Sequence, residues 1–321
     1  MSPVGLGSPV GAGGGYRHEA YFYRGTEGFL AGTLPFIHGS LAAGEPILLA
    51  VAEPRLTLLR DALGRDASSV MLADMSHTGR NPARIIAAWL QLLEEAGALG
   101  RPVRGIGEPI WAGLSEAELA EWQLHEALLN RAVAAHTDFW LRCPYDTDTL
   151  DASVISEAKR SHPLVADAVT GVNSDHFAGH DESITSLFEL ALPHPPTEAV
   201  PLVFDADRLG KVRREVRAWM LLAGAGEDRI SDIVLAVHEL ATNSVRHGGG
   251  VGRFRAWRRG DTVTFEIADN GRVADPMVGR VPPSNGQTGG RGVWLANQLC
   301  DLVQLRSGEH GTTVRVTLAV G

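Results

Sequence analysis

Three glycines, Gly289, Gly290 and Gly292, stand immediately before an apolar-patterned helix in TGGRGVWLANQLCDLV. A glycine-rich loop that opens a helix leaves backbone N–H groups free, and the helix dipole adds to their attraction for an anion such as phosphate. A second group lies upstream in HELATNSVRHGGG, where Glu239, Asn243 and His247 recur every four residues and run into three glycines. On an ideal helix Ile230, Ile233, Val234, Val237, Ala241 and Val245 fall within about 60° either side of one line. That stripe is the expected buried face, and it leaves the Glu, Asn and His on the opposite side. Polar residues in that place are equally what an ordinary wet helix face carries. The third group is Asp269, Asn270 and Gly271. Asn and Gly tolerate the positive φ of a turn, and a glycine lets a ligand approach the backbone closely.

The elements that must position these groups are readable from periodicity. The second part of the chain predicts a helix from about Ala206 to Ala223 and another from about Asp228 to Arg246. A half-buried strand follows, in which Val263, Phe265 and Ile267 alternate with Thr264 and Glu266 and which ends at Asp269. The glycine-rich loop then enters its helix, and a last strand carries Val314, Val316 and Leu318 on one face. The earlier part alternates differently. EPILLAVA, SSVMLADM, RPVRGIGEPIW and TDFWLRCPYD read as strands. EPRLTLLRDALG, NPARIIAAWLQLLEEAG and SEAELAEWQLHEALLNRAVAA read as the helices between them, the second with Pro82 in its first turn. Such alternation implies an α/β fold: a mostly parallel sheet with helices on both faces. Ligands of such sheets gather at the carboxyl ends of the strands. Asp74, Gly107, Glu108, Trp111, Cys143, Tyr145 and Asp146 stand there.

The chain of 321 residues is 44% hydrophobic, which suits two domains with real cores. A flexible tail covers residues 1–15, and Pro193, Pro195, Pro196 and Pro201 make 193–201 a stiff linker. These divide the chain into units at 16–192 and 202–321. Residues 1–200 carry a net charge of −12 and residues 201–321 a net charge of +3. The mild positive balance suits a phosphate ligand or an acidic partner but not direct DNA binding. No apolar run approaches about 18 residues, so no membrane span is expected. The two cysteines, Cys143 and Cys300, fit no metal-ligand spacing and point to a reduced, cytoplasmic protein.

Taken in order, the motifs from Pro201 to Gly321 resemble the GHKL, or Bergerat-fold, ATP-binding domain of histidine kinases, gyrase, Hsp90 and the anti-sigma-factor serine kinases. HELATNSVRHG resembles the N box, ADNG the start of the G1 box, GGRGVWL the G2 box and GTTV the last nucleotide-contact segment. The resemblance implies a two-layer α/β sandwich that binds ATP and Mg²⁺. It assigns Asn243 as the Mg²⁺ ligand, Glu239 as general base and Asp269 as acceptor from the adenine amino group. Thr312 or Thr313 completes the adenine contact, Gly271 lies against the nucleotide, and Gly290, Arg291 and Gly292 line the phosphates. The family's G1 box usually reads Asp-x-Gly-x-Gly, and Val273 stands at the second glycine. Only one helix fits between Pro193 and the N box, which separates the chain from histidine kinases and favours the anti-sigma type. That type implies an ATP-dependent protein serine kinase whose partner is a sigma factor or an anti-sigma antagonist protein. The alternative is a non-catalytic partner-binding switch with a degenerate or structural nucleotide site.

From about Tyr16 to Pro163, the segments HEAYFYRG, RGIGEPIW, HEALLN and CPYD resemble the MEDS sensory domain, proposed to sense small hydrocarbon derivatives. This resemblance implies a small-molecule ligand, with His18, Glu108, Trp111, His125, Cys143, Tyr145 and Asp146 as candidate contacts. A homodimer is left open.

Overall fold

The computed structural model describes residues 15–97, 100–133, 137–167, 171–283 and 290–320. Gly289 and residues 1–14 of the glycine-rich tail lie outside the described residues. The chain divides into two compact units, residues 1–79 with 89–183, and residues 80–88 with 184–321. Among the described residues no helix is long and apolar enough to cross a membrane.

The first unit is built on β1 (Arg17–Tyr23), α1 (Gly25–Ala43), β2 (Ile47–Val51), α2 (Arg55–Leu63), β3 (Met71–Asp74), α3 (Met75–Thr78), α4 (Ile85–Gly97), β4 (Val103–Gly107), α5 (Glu116–Ala132), β5 (Phe139–Asp146), α6 (Ala152–Ser161), β6 (Leu164–Ala166) and β7 (Gly171–Asn173). Its seven strands lie in the order β3-β2-β4-β5-β1-β6-β7, and every pair but β6–β7 is parallel. The mostly parallel sheet expected from the alternation is present, with one antiparallel edge hairpin added. Helices cover both faces of the sheet, so apolar strand residues are buried on both, with His18 and Glu19 of β1 buried among them. Beneath α1 and α2, Tyr21, Tyr23, Ile47, Leu49, Val51 and Ile106 meet Phe29, Phe36, Ile37, Leu56 and Leu59. On the opposite face Trp89 of α4 packs on Phe139, with ring centroids 5.5 Å apart. Helix α5 starts at a capping box: Ser115 accepts from the Glu118 N–H, and the Glu118 carboxylate accepts from the Ser115 N–H. That start sets which of its side chains turn toward β5.

The second unit begins within α7 (His180–Phe188) and holds β8 (Leu202–Phe204), α8 (Leu209–Leu222), α9 (Glu227–His247), β9 (Gly252–Arg259), β10 (Thr262–Asp269), α10 (Arg291–Leu299), β11 (Leu302–Gly308) and β12 (Gly311–Ala319). The strands form an antiparallel sheet in the order β11-β12-β10-β9-β8. Helices α8, α9 and α10 pack on one face. Helix α9 has Glu227 and Asp228 in its first turn and Arg246 and His247 in its last, a charge arrangement that suits its dipole. Its buried residues are Ile230, Ile233, Ala236, Val237, Leu240, Ala241 and Ser244. Val234 and Val245 are only half-buried, so the buried stripe is turned toward Leu240 and Ser244 relative to the pure hydrophobic pattern. The turn arises because α9 is flanked by α8 and α10 and does not rest on the sheet alone. Each fully buried Ile, Val or Leu contributes roughly 1.5–3 kcal/mol.

The sheet's other face is charged. Glu266 accepts from Arg255 and from Arg315, both at 2.8 Å, and Arg315 lies over Trp257. Arg315 also donates to the Pro193 carbonyl. The proline-rich stretch read as a linker from sequence is thus hydrogen-bonded to the second unit's sheet.

Candidate functional site

The three chemistry-bearing groups of the second unit converge on one side of the sheet. The carboxyl end of β10 places Asp269 opposite Thr312 of β12, so both side chains project to the helix-covered face. One Asp269 oxygen accepts from the Ser244 hydroxyl at 2.6 Å and the other from the Gly271 N–H at 2.8 Å. Thr312 donates to the Gly271 carbonyl at 2.9 Å and shares a 2.8 Å hydrogen bond with Ser307, which accepts from the Val273 N–H at 2.8 Å. A cleft above this network is lined by Leu240, Asn243, Ile267, Val293, Leu305 and Val314, with Asp269 and Thr312 as its polar floor. It suits a flat apolar ring with a polar edge.

Glycines hold the network together. A Cβ on Gly271 would lie 2.5 Å from the His247 carbonyl, and one on Gly248 would lie 2.3 Å from the Asp269 carboxyl carbon. The first of the three glycines after α9 is therefore a contact of Asp269, while Gly249 and Gly250 turn the chain with φ of +90° and +85°. Gly290 has a φ of +85° and caps the start of α10. At that start Gly292 meets α9: an added Cβ would sit 2.8 Å from the Asn243 amide nitrogen and 3.1 Å from Glu239 Cβ. Glu239 and Asn243 thus face the opening turn of α10. They are half-buried, and this is the physical difference from a wet helix face.

Of the residues singled out by sequence, Asn243, His247, Asp269, Gly271 and Thr312 lie around one cleft, and Glu239 and Gly292 meet beside Asn243. Arg291 is exposed, and His247 is exposed at the end of α9. Thr313 is not brought to the cleft. It pairs with Ala268 and projects to the opposite, charged face beside Arg306 and Arg315. A strand alternates its faces, so only one of two adjacent threonines can meet Asp269. Ser244, Gly248, Ser307 and Gly311 are contacts that sequence reading passed over. Ser244 had a signal, since it is the polar residue one turn beyond the apolar Leu240. Gly311 has a φ of +99° and no room for a Cβ, which would lie 2.1 Å from the Asp269 carbonyl oxygen.

In the first unit the candidates separate into two clusters. Glu108 and Asp146 share Arg55 at the carboxyl ends of β4 and β5. Arg55 Nη1 donates to Glu108, and Nη2 donates to Asp146 at 3.1 Å. Glu108 also accepts from the Ala52 N–H at 3.2 Å. Burial pushes the Glu108 carboxyl up to about 7, against the opposing pull of Arg55. Arg55 carries no sequence signal, since an arginine opening an amphipathic helix is ordinary.

His18, Cys143 and Tyr145 meet instead around a residue not singled out, Glu126 of α5. Glu126 Oε2 lies 3.4 Å from His18 Nε2, 3.0 Å from His162 Nε2 and 3.5 Å from the Tyr145 hydroxyl. Cys143 Sγ is 3.4 Å from His18 Nε2. Burial, and then the Glu126 charge, push the Cys143 thiol and the Tyr145 phenol well up. Burial, and then His18, hold His162 below its ordinary value. His125 has its Nε2 3.9 Å from the other Glu126 oxygen and packs edge-on against Trp122, which meets Trp111 the same way.

Comparison with known proteins agrees with both halves. Residues 17–163 match the MEDS family, the methanogen/methylotroph, DcmR sensory domain. Residues 202–318 match the histidine kinase-like ATPase domain. Among solved structures, the RsbU and RsbW domains of Rv1364c from Mycobacterium tuberculosis are similar at 26% identity, with a TM-score of 0.27. That match covers 38% of this chain and 32% of the other, so the chain spans about a third of that protein. The chain thus joins a segment that matches the MEDS sensory domain, built on a mostly parallel sheet, to a segment that matches the histidine kinase-like ATPase domain, built on an antiparallel sheet.

Proposed function

We propose that the protein is a signalling regulator in which a small-molecule sensory domain controls an ATP-dependent protein serine kinase of the anti-sigma type. The observation that carries this reading is the pairing of Glu239 with Asn243 against Gly292, at the end of a cleft whose floor is Asp269. The residues fit an adenine nucleotide. The cleft is apolar with a carboxylate at its base, and its glycines let the backbone pack closely enough to hold that carboxylate in place. Asp269, already oriented by Ser244 and Gly271, accepts from the exocyclic amine of adenine. The first N–H groups of α10, behind Gly290, face the phosphates with Arg291 beside them. The Asn243 oxygen is a ligand suited to Mg²⁺. Bound ATP supplies the phosphoryl group, and Glu239 accepts the proton of the attacking serine hydroxyl at its carboxylate oxygen. One α-helix, α8, lies between Pro193 and α9, which leaves no helical hairpin of the histidine-kinase kind. A sigma factor or an anti-sigma antagonist is the expected protein partner, and the MEDS match supports a small organic ligand for the first unit.

A second reading, a non-catalytic partner-binding switch, is favoured by Val273. The family's second G1 glycine is absent, and the Val273 N–H is committed to Ser307. One experiment separates the two. Glu239→Gln keeps the shape of the side chain but cannot take a proton. On the kinase reading the full chain with this change binds ATP–Mg²⁺ normally and no longer transfers labelled phosphate to a protein serine. Equal transfer by variant and parent removes Glu239 from the mechanism. ATP binding with no transfer by the parent to any sigma-regulatory partner supports the switch.

A further inference from the structure

His18, Glu126, Cys143 and His162 come from β1, α5, β5 and the residue after α6. All four are buried, and their ligand atoms lie within 4.8 Å of one another. We propose that these four side chains bind one divalent transition-metal ion of the zinc class inside the first unit. Nothing in the inference depends on the nucleotide chemistry of the second unit.

The donor set comes first. Two imidazole nitrogens, one sulfur and one carboxylate oxygen form a mixed set that suits zinc, cobalt or iron(II) and disfavours magnesium and calcium. The spacing is close to that of a metal site. Around a tetrahedral ion with bonds of about 2.0–2.3 Å, neighbouring ligand atoms lie about 3.3–3.8 Å apart. Cys143–His18 and His18–Glu126, both at 3.4 Å, fall in that range, His162–Glu126 is shorter at 3.0 Å, and all four ligand atoms lie within 4.8 Å of one another, so shifts of a few tenths of an ångström to about 1 Å would seat an ion.

The hydrogen bonds of the far ring nitrogens then set the tautomers. His162 Nδ1 lies 2.8 Å from the Ala158 carbonyl, which can only accept, so Nδ1 carries the proton. His18 Nδ1 lies 2.9 Å from Asn130 Oδ1. The Asn130 amide is oriented by its nitrogen, which donates to the Ser161 carbonyl at 2.7 Å, so its oxygen accepts from His18. In the neutral rings both Nε2 atoms therefore present lone pairs, and both are aimed at a carboxylate oxygen. The two ring centroids are 4.1 Å apart and both Nε2 atoms converge on the same Glu126 oxygen, so one cation could meet both rings and the carboxylate at once. Imidazoles whose second nitrogen donates to a carbonyl or amide oxygen are the usual arrangement of metal-binding histidines.

Charge closes as well. On binding, the Cys143 S–H bond breaks, its proton leaves to solvent and the sulfur bonds the ion. The thiolate and the Glu126 carboxylate then neutralise a divalent cation. With four protein ligands the coordination sphere is closed, so the ion ties four elements of the sensory unit together instead of meeting an outside substrate.

The test uses the full chain, stripped with a chelator and titrated with Co²⁺ as a spectroscopic probe. The expected result is one Co²⁺ per chain, with the intense visible bands of four-coordinate cobalt and a near-ultraviolet thiolate-to-cobalt band. Zn²⁺ should displace it. Cys143→Ser should lose the thiolate band and bind at least about tenfold more weakly. Cys300→Ser should leave the spectrum unchanged. Because the chain has two cysteines, a thiolate band in the Cys300→Ser protein assigns Cys143 even where Cys143→Ser does not fold. Absence of bound Co²⁺, a six-coordinate spectrum without a thiolate band, or a thiolate band that survives Cys143→Ser overturns the proposal. The first of these outcomes would leave a purely hydrogen-bonded cluster.

Discussion

Replacing Asp269 by Asn tests the floor of the cleft with the smallest change in shape. The carboxylate accepts from Ser244 Oγ at 2.6 Å and from Gly271 N at 2.8 Å. An asparagine can keep both contacts. Its oxygen stays toward the Gly271 N–H, which can only donate, and its nitrogen faces Ser244, whose hydroxyl rotates to accept. What disappears is the charge. Hydrogen bonds to charged groups are worth roughly 1.5–3 kcal/mol and neutral ones roughly 0.5–1.5, so two bonds lose about 2–3 kcal/mol together. Protection of the β10 amides in native-state hydrogen exchange should fall accordingly. Binding should fall too, because the amine of adenine meets a neutral acceptor already shared with Gly271. Exchanging one charge-assisted bond for a neutral one, about 1–1.5 kcal/mol, corresponds to about five- to tenfold in Kd for ATP–Mg²⁺, measured by calorimetric titration of the full chain. Ser244→Ala should show a milder version of both effects, since it removes one donor and leaves the charge. Unchanged affinity in Asp269→Asn would mean that the nucleotide does not rest on β10. Unchanged exchange protection would mean that the two observed bonds do not hold the strand end.

Other expectations follow from single contacts. Asn243→Ala should weaken ATP binding in the presence of Mg²⁺ but not in its absence, as seen by titration with and without the ion. Gly311→Ala combines a φ of +99° with a Cβ 2.1 Å from the Asp269 carbonyl oxygen, a backbone atom that cannot swing aside, and should cost several kcal/mol in urea denaturation. Glu108 should shape the pH dependence of the first unit. Its carboxyl rises from an ordinary 4.5 to about 7 on folding, so between those values the folded state holds more protons than the unfolded state. Its contribution is therefore complete below about pH 4.5 and is lost as pH rises through about 7. Denaturation across that range should show a downward slope in the parent that Glu108→Gln lacks; equal slopes would refute the assignment.

Local patterns made much of this protein legible. The mostly parallel sheet of the first unit and the gathering of Asn243, Asp269, Gly271 and Thr312 around one cleft rest on signals within a few residues: alternating strands, an amphipathic helix, glycines where the backbone must turn. Glu239 and Asn243 share a helix, so their juxtaposition needed only a helical pitch. Asp269 ends a strand that its own alternation announces. Tertiary structure decided the rest. The choice of Thr312 over Thr313 is a register, set by pairing β12 with β10, and two adjacent threonines look alike until that pairing exists. The rotation of the α9 stripe toward Ser244 came from packing between α8 and α10. The same reason explains the cysteines most sharply. Cys143 fits no metal spacing along the chain because His18, Glu126 and His162 are drawn from three other elements. A parallel sheet places β1 beside β5 although more than a hundred residues separate them. Spacing rules detect ligands that share a turn or a hairpin, whereas a crossover fold assembles its buried polar groups only when the sheet closes.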